Sequence, residues 1–110
     1  MIHLNNVKMN VIETSENGVV NQDTIFHFKQ EGNLVHADYS GGQIEKGYLV
    51  GKLINNQLEF TYCQIQFDGV LDNGKSTVEL EKLNGKIRLI EHFEWASRPG
   101  VYGTNVFQEL

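Results

Sequence analysis

A turn signal recurs about every 12 residues along this chain, and no other feature constrains the fold as strongly. Each signal is a pair of residues that accept positive φ at the centre of a two-residue hairpin. The pairs are Asn17-Gly18, Gly32-Asn33, Gly41-Gly42, Asn55-Asn56, Asp68-Gly69 and Asn84-Gly85. Because the segments between them alternate apolar and polar residues, the pattern predicts an antiparallel all-β meander with little or no helix.

Each turn also predicts a register between the two strands that it joins. The Gly32-Asn33 turn places Phe26 opposite Tyr39 on one side of the sheet and His27 opposite Asp38 on the other. One side is then mostly apolar and the other polar, as a sheet with one buried face requires.

The fourth predicted strand changes face partway along its length. The Gly41-Gly42 turn points even-numbered residues inward at its start, and the Asn55-Asn56 turn points odd-numbered residues inward at its end. A strand changes face by inserting an extra residue, so we predict a β-bulge with positive φ at Gly47.

The same argument predicts a second bulge at Gly74, with Leu71 and Asn73 inward before it. Two bulges would curl the meander until its edges meet. The sequence therefore predicts one domain, residues 1–110, folded as an up-and-down barrel of about eight strands. The predicted strands are residues 5–13, 23–31, 34–40, 43–54, 57–67, 70–82, 86–95 and 103–110.

Composition excludes several classes of function. The net charge is −5 and the Lys and Arg residues are scattered singly, which disfavours nucleic-acid binding. No apolar run approaches the ~20 residues that a membrane-spanning helix needs, and the N-terminus does not resemble a secretory signal. The single cysteine, Cys63, cannot form an internal disulfide. We therefore expect a cytoplasmic protein.

The predicted inward face mixes aromatic bulk with polar side chains. A barrel of this size is either filled by side chains or holds one small ligand. The polar inward residues are Gln64, Gln66, Asn73, Ser76 and Glu91. Since such groups do not belong in a dry core, we predict a ligand pocket in or at the mouth of the barrel. Its predicted lining is Tyr39, Tyr62, Gln64, Glu91 and Trp95.

Glu91 is the candidate for chemistry in that pocket. Its carboxyl group is predicted to be protonated or held by a tyrosine hydroxyl, the Trp95 indole or Arg98. It is either a structural hydrogen-bonding group, which we favour, or a ligand-binding or catalytic acid or base.

The sequence predicts no cofactor and no metal site. His27, His36, Asp38 and Glu45 share an outer face, and we interpret them as a solvated surface because an open face rarely supplies an ordered metal site. The common catalytic and phosphate-binding motifs are absent from the sequence.

Three blocks, "TIFHFKQEGNLVHADYSGGQIEKGYLVG", "NGKIRLIEHFEW" and "GTNVFQEL", resemble a family of small bacterial proteins, some of which carry the name N-acetylglutamate synthase. The resemblance spans nearly the whole chain and implies no established catalytic residues. A tryptophan often stands in that family where this chain has Phe93. The name implies acetyl transfer from acetyl-CoA, yet the chain lacks the glycine-rich turn and following helix that hold the cofactor pyrophosphate in common acetyltransferases.

Three hypotheses follow for the function. The first is a small-molecule-binding barrel of the lipocalin-like or avidin-like type. The second is an enzyme, either one that uses Glu91 as acid or base or the acetyltransferase that the family name implies. The third is a filled barrel that acts through an apolar outer surface or as an oligomer, with a homodimer plausible under all three. The outward apolar residues are Ile25, Val50, Ile65 and Ile90.

Overall fold

The computed structural model, which describes residues 2–16 and 18–110, curls the alternating segments into a closed antiparallel barrel. The strands are β1 (Val7–Thr14), β2 (Ile25–Glu31), β3 (Leu34–Gly41), β4 (Ile44–Ile54), β5 (Gln57–Gln66), β6 (Leu71–Leu83), β7 (Lys86–Trp95) and β8 (Tyr102–Glu109). β1 pairs with β8 and closes the sheet. The predicted barrel is confirmed, and every predicted strand end lies within two residues of the observed one.

The two-residue turns determine three hairpin registers as predicted. Asn55 and Asn56 have φ of 53° and 61°, the left-handed conformation that a tight hairpin of this kind requires. The confirmed cross-strand pairs include Phe26 with Tyr39, Gly51 with Phe60, and Val78 with Glu91. The predicted Asn17-Gly18 turn includes Asn17, which lies outside the described residues.

The fourth strand changes face as predicted, but the bulge is not at Gly47. The register shifts between Ile44 and Lys46, so the extra residue is Glu45. The turn between β3 and β4 is Gly42-Gln43, one residue beyond the predicted Gly41-Gly42, and the buried Gly47 lies opposite Tyr39. An added Cβ at Gly47 would lie 2.2 Å from Tyr39 Cε2. Glycine is therefore required here to make room for an aromatic ring.

The predicted bulge at Gly74 is wrong, and so is the inward placement of Leu71 and Asn73. β5 and β6 pair through Ile65 and Leu71, so four residues connect the strands where a two-residue turn on Asp68-Gly69 was predicted. This difference reverses the face at the start of β6. Leu71 and Asn73 are exposed there, whereas Asp72 is buried.

The barrel interior is packed along its whole length by one apolar cluster. At the end where β2 leads into β3, Leu4 closes the interior and its backbone N–H donates to Gln30 Oε1 at 2.8 Å. The opposite end receives the segment between β1 and β2, and the polar inward residues lie toward that end. No helix in the described part of the chain is long and apolar enough to cross a membrane.

Candidate functional site

A cavity of about 30 Å³ lies inside the barrel below the segment that joins β1 to β2. This volume leaves room for about two water molecules. The five residues predicted to line a pocket, Tyr39, Tyr62, Gln64, Glu91 and Trp95, all border this cavity. The structure thus brings together the side chains that the sequence grouped, whereas their binding of a ligand stays a prediction.

Aromatic rings form most of the cavity wall. Phe26 stacks on Tyr39 with ring centroids 4.3 Å apart, and Trp95 meets the edges of neighbouring rings at 5.7 and 5.8 Å. Such offset and edge-to-face contacts hold the rings in fixed orientations. The aromatic wall consists of Phe26, Tyr39, Phe60, Tyr62, Phe93, Trp95 and Phe107.

Glu91 is the acidic side chain of the cavity, and two neighbouring strands hold its carboxyl group. Ser76 Oγ on β6 donates to Oε2 at 2.5 Å, and Asn105 Nδ2 on β8 donates to Oε1 at 2.8 Å. Asn105 Oδ1 in turn accepts a hydrogen bond from Thr14 Oγ1 at 2.6 Å. The hydrogen-bond partners of Glu91 are therefore Ser76 and Asn105, whereas a tyrosine hydroxyl, the Trp95 indole or Arg98 was predicted.

Burial raises the pKa of Glu91 above its usual value, because desolvation penalises the carboxylate more than the hydrogen bonds from Ser76 and Asn105 favour it. Burial also raises the pKa of the Tyr39 and Tyr62 hydroxyls, and the nearby Glu91 carboxylate raises both further. Both tyrosines are therefore neutral near pH 7, and Glu91 is the group in the cavity whose charge can change.

This pKa shift gives stability a defined dependence on pH. Below 4.5, the ordinary pKa of Glu91, the carboxyl group is protonated in both the folded and unfolded chains. Above that value the unfolded chain ionises first, so the free energy of unfolding falls as pH rises through the folded-state pKa, by up to about 1.4 kcal/mol per pH unit.

We expect Glu91→Gln to remove that contribution, because glutamine does not ionise, while its Oε1 can accept from Asn105 Nδ2 and its Nε2 can donate to Ser76 Oγ. Urea denaturation from pH 4 to pH 8 measures the difference between the variant and the parent chain. Glu79→Gln, on the exposed face of β6, is the matched control and should keep the parent slope. Equal slopes for Glu91→Gln and the parent would contradict the assignment.

Two buried polar atoms of the cavity residues have no hydrogen-bond partner within the described structure. Tyr39 Oη donates to Gln64 Oε1 at 2.7 Å, which leaves Gln64 Nε2 unpaired, and Tyr62 Oη is also unpaired. Leaving such groups buried and unpaired costs about 1–3 kcal/mol each. Both can donate to an acceptor that enters the cavity.

The cavity is covered by a connecting segment as well as by strands. Gly18, Val19 and Val20 border it, and Val20 is buried. Gly18 packs against Thr14 and Asn105, close to the hydrogen-bonded chain that leads to Glu91. A connecting segment can move without breaking the barrel's strand pairing, so this is the side from which the cavity could open.

Sequence reasoning missed an ion pair at the same end of the barrel. Arg98 Nε and Nη2 donate to Asp72 at 3.0 and 2.7 Å, and Ser97 Oγ donates to the same carboxylate at 2.9 Å. The guanidinium lies 4.8 Å from the centre of the Trp95 ring. The pair was missed because four residues, and not two, connect β5 to β6. This difference shifts the register by one residue and turns Asp72 inward.

The outer-face histidine cluster does not assemble into a metal site. Lys46 Nζ donates to Asp38 at 3.2 Å. Among the described residues, no group of three or more His, Cys, Asp or Glu side chains is placed to hold a metal ion.

A larger concavity of about 930 Å³ lies on the outer face of the barrel and is bordered by Val50, Thr61, Lys75 and His92. It is open to solvent, and Tyr62, Gln64 and Glu91 do not border it. Other apolar side chains are exposed on the same outer surface, including Tyr48 and Leu71. We place the candidate site inside because polar groups that converge out of water are the stronger mark of a binding site.

Comparison with protein families matches residues 2–110 to the model described as "Avidin-like protein". No curated protein and no solved structure matches the chain significantly. The match covers nearly the whole chain and agrees with the closed eight-stranded barrel. It carries no statement about acetyl transfer.

Proposed function

Since the chain belongs to the avidin-like family, we propose that it binds a small molecule inside the barrel, in the cavity below Gly18–Val20. Barrels of about eight strands can hold one small ligand in their interior. The observation that carries the proposal is the pair of unpaired polar atoms, Tyr62 Oη and Gln64 Nε2, on residues that border an aromatic cavity.

The ligand needs more space than the cavity has with Val19 and Val20 in place. A volume of about 30 Å³ accommodates water but not an organic molecule of several atoms. We propose that the ligand displaces these two valine side chains and takes over their contacts with the aromatic wall. Movement of a connecting segment to admit a ligand is common in binding sites.

The lining supports binding more directly than catalysis. Among the lining residues that the structure describes, Glu91 is the one carboxylic acid, and there is no histidine, lysine, arginine or cysteine. Most acid–base mechanisms pair such a group with a second acid, base or nucleophile. The acetyltransferase hypothesis rests only on the name N-acetylglutamate synthase that some similar proteins carry. The binding hypothesis accounts for Glu91, Gln64 and Tyr62 together.

A pair of matched variants tests where the ligand binds. Saturation-transfer NMR is run on small amines, amides, alcohols and carboxylates with the parent chain, Val20→Trp and Val50→Trp. We expect at least one compound to bind the parent chain. Val20→Trp should weaken it by about tenfold or more, because an indole fills the space that the ligand needs. Val50→Trp adds the same ring to the outer concavity and should leave binding unchanged.

Thermal unfolding shows whether both variants are folded, and Val20→Phe replaces Val20→Trp if the larger ring prevents folding. Binding that Val20→Trp leaves intact, or that Val50→Trp removes, would move the site to the outer surface. Failure of every compound to bind the parent chain would contradict the proposal.

The predicted homodimer stays a prediction. Exposed apolar side chains on the outer face, among them Tyr48, Val50 and Leu71, are the features that support it.

A further inference from the structure

We propose that the ligand of the inner cavity is a small organic cation, an ammonium compound that also carries a hydroxyl or carbonyl oxygen. This inference rests on the binding function proposed above and specifies the chemistry of the molecule that the same site takes. It follows from the carboxyl group, the aromatic wall and the unpaired donors considered together.

Among the described residues, no cationic side chain donates a hydrogen bond to the carboxyl group of Glu91, although His92 next to it lowers its pKa slightly against the effect of burial. Its hydrogen bonds come from the neutral side chains of Ser76 and Asn105, and the described lining of the cavity contains no lysine, arginine or histidine. Arg98, whose guanidinium lies over the Trp95 ring of this wall, is paired with Asp72. A buried carboxylate without a countercharge is strongly disfavoured, so a cation supplied by the ligand would complete the site.

The aromatic wall adds a second attraction for the same kind of ligand. The face of an aromatic ring is negative, and it attracts ammonium groups most strongly where water is excluded. Cages of aromatic rings are a known way to bind alkylated ammonium compounds, which cannot donate many hydrogen bonds. Seven rings border this cavity, together with one carboxyl group.

The unpaired donors account for the oxygen atom of the ligand. Gln64 Nε2 needs an acceptor, which an ammonium group cannot provide, and Tyr62 Oη can donate to the same acceptor. A hydroxyl or carbonyl oxygen a few bonds from the nitrogen would satisfy both while the nitrogen lies against Glu91. An amino alcohol such as choline or ethanolamine has this pattern.

Anionic and neutral ligands fit less well. A carboxylate in the cavity would lie near Glu91, and none of the lining residues that the structure describes is a cation that would offset the repulsion. A neutral molecule could pair with Gln64 and Tyr62, but it would leave Glu91 to carry a proton in a desolvated site. These two classes are therefore the alternative outcomes of the test.

Cation binding should be linked to pH through Glu91. The titratable groups that face it are Tyr39 from β3 and Tyr62 from β5, while β6 and β8 contribute the neutral Ser76 and Asn105. His92 follows Glu91 on β7 and lies on the outer face. Because a cation binds the ionised carboxylate and releases its proton, the affinity should rise with pH until Glu91 is ionised in the free protein.

The test compares choline with its uncharged isostere 3,3-dimethyl-1-butanol by isothermal titration calorimetry, with ethanolamine as a smaller cation. We expect the parent chain to bind a cationic probe at least about tenfold more tightly than the isostere. Glu91→Gln should lose that preference, and the outer-face control Glu79→Gln should keep it. The preference should also be larger at pH 8 than at pH 6.

Each other outcome is informative. Equal binding of choline and its isostere, or a preference that survives in Glu91→Gln, would overturn the cation proposal and leave binding in the barrel intact. Binding of amides or carboxylates in the NMR screen without any cation would do the same. If no compound binds at all, both proposals fail together.

Discussion

Replacing Gly51 with alanine is expected to lower the free energy of unfolding of the barrel by about 3 kcal/mol or more, the upper range for overpacking. An added Cβ at Gly51 would lie 2.0 Å from the Glu59 carbonyl oxygen and 2.6 Å from Phe60 Cβ. The oxygen belongs to the backbone of β5, so relief requires β4 and β5 to move apart. Urea denaturation followed by far-UV circular dichroism measures the loss.

Gly47→Ala provides the contrast, because there the added methyl group meets a side chain. Its Cβ would lie 2.2 Å from the Tyr39 ring. A second change, Tyr39→Leu, should therefore recover part of the loss in Gly47→Ala, and a double-mutant cycle measures this coupling. Phe60→Ala should recover little in Gly51→Ala, because the Glu59 oxygen remains. If the second change restores the same free energy of unfolding in both cycles, the backbones of β4 and β5 can move apart more easily than the distances at Gly51 indicate.

The second large effect is expected at the Asp72–Arg98 pair. Arg98→Met keeps the aliphatic stem but leaves the Asp72 carboxylate, which is 2% exposed, without its cation. Breaking a buried pair costs about 3–5 kcal/mol, and because the Arg98 side chain is 36% exposed we expect about 2 kcal/mol here. Chemical denaturation near neutral pH measures the change.

The double variant Asp72→Asn/Arg98→Met should regain most of that stability, because it removes the unpaired charge as well. Lys46→Met breaks the exposed pair with Asp38, whose side chains are 43% and 49% exposed, and should cost less than about 1 kcal/mol. A double variant no more stable than Arg98→Met would show that the stability depended on packing of the arginine and not on the charge of Asp72.

Most of the barrel could be predicted because two-residue turns fix the register on both sides. The Asn55-Asn56 turn predicts every β4–β5 pair from Gly47 to Ile54, since each strand must alternate its faces outward from the turn. The register predicted from Asp68-Gly69 was wrong because the same residue types also fit a four-residue connection. This one-residue change of register turns Asp72 inward, so its ion pair with Arg98 could not be predicted from the turn.

The candidate site was predictable to the same extent. Tyr39, Tyr62, Gln64, Glu91 and Trp95 lie beside one cavity because each is on a strand whose inward face a turn had fixed, and their binding of a ligand stays a prediction. Asn105 was missed because no short turn joins β7 to β8, so its position opposite Glu91 had no local signal. The position of Val19 and Val20 over the cavity was also missed. The alternation of apolar and polar residues predicts strands but not the backbone path of a connecting segment.

One wall residue gives the protein an optical property. Trp95 is the single tryptophan of the chain, and it is buried at the cavity with the Arg98 guanidinium over its ring. Indole emission depends on the polarity and charge around the ring. All tryptophan fluorescence of this protein therefore originates at the candidate site, so occupancy can be followed in unlabelled protein without interference from the rest of the barrel.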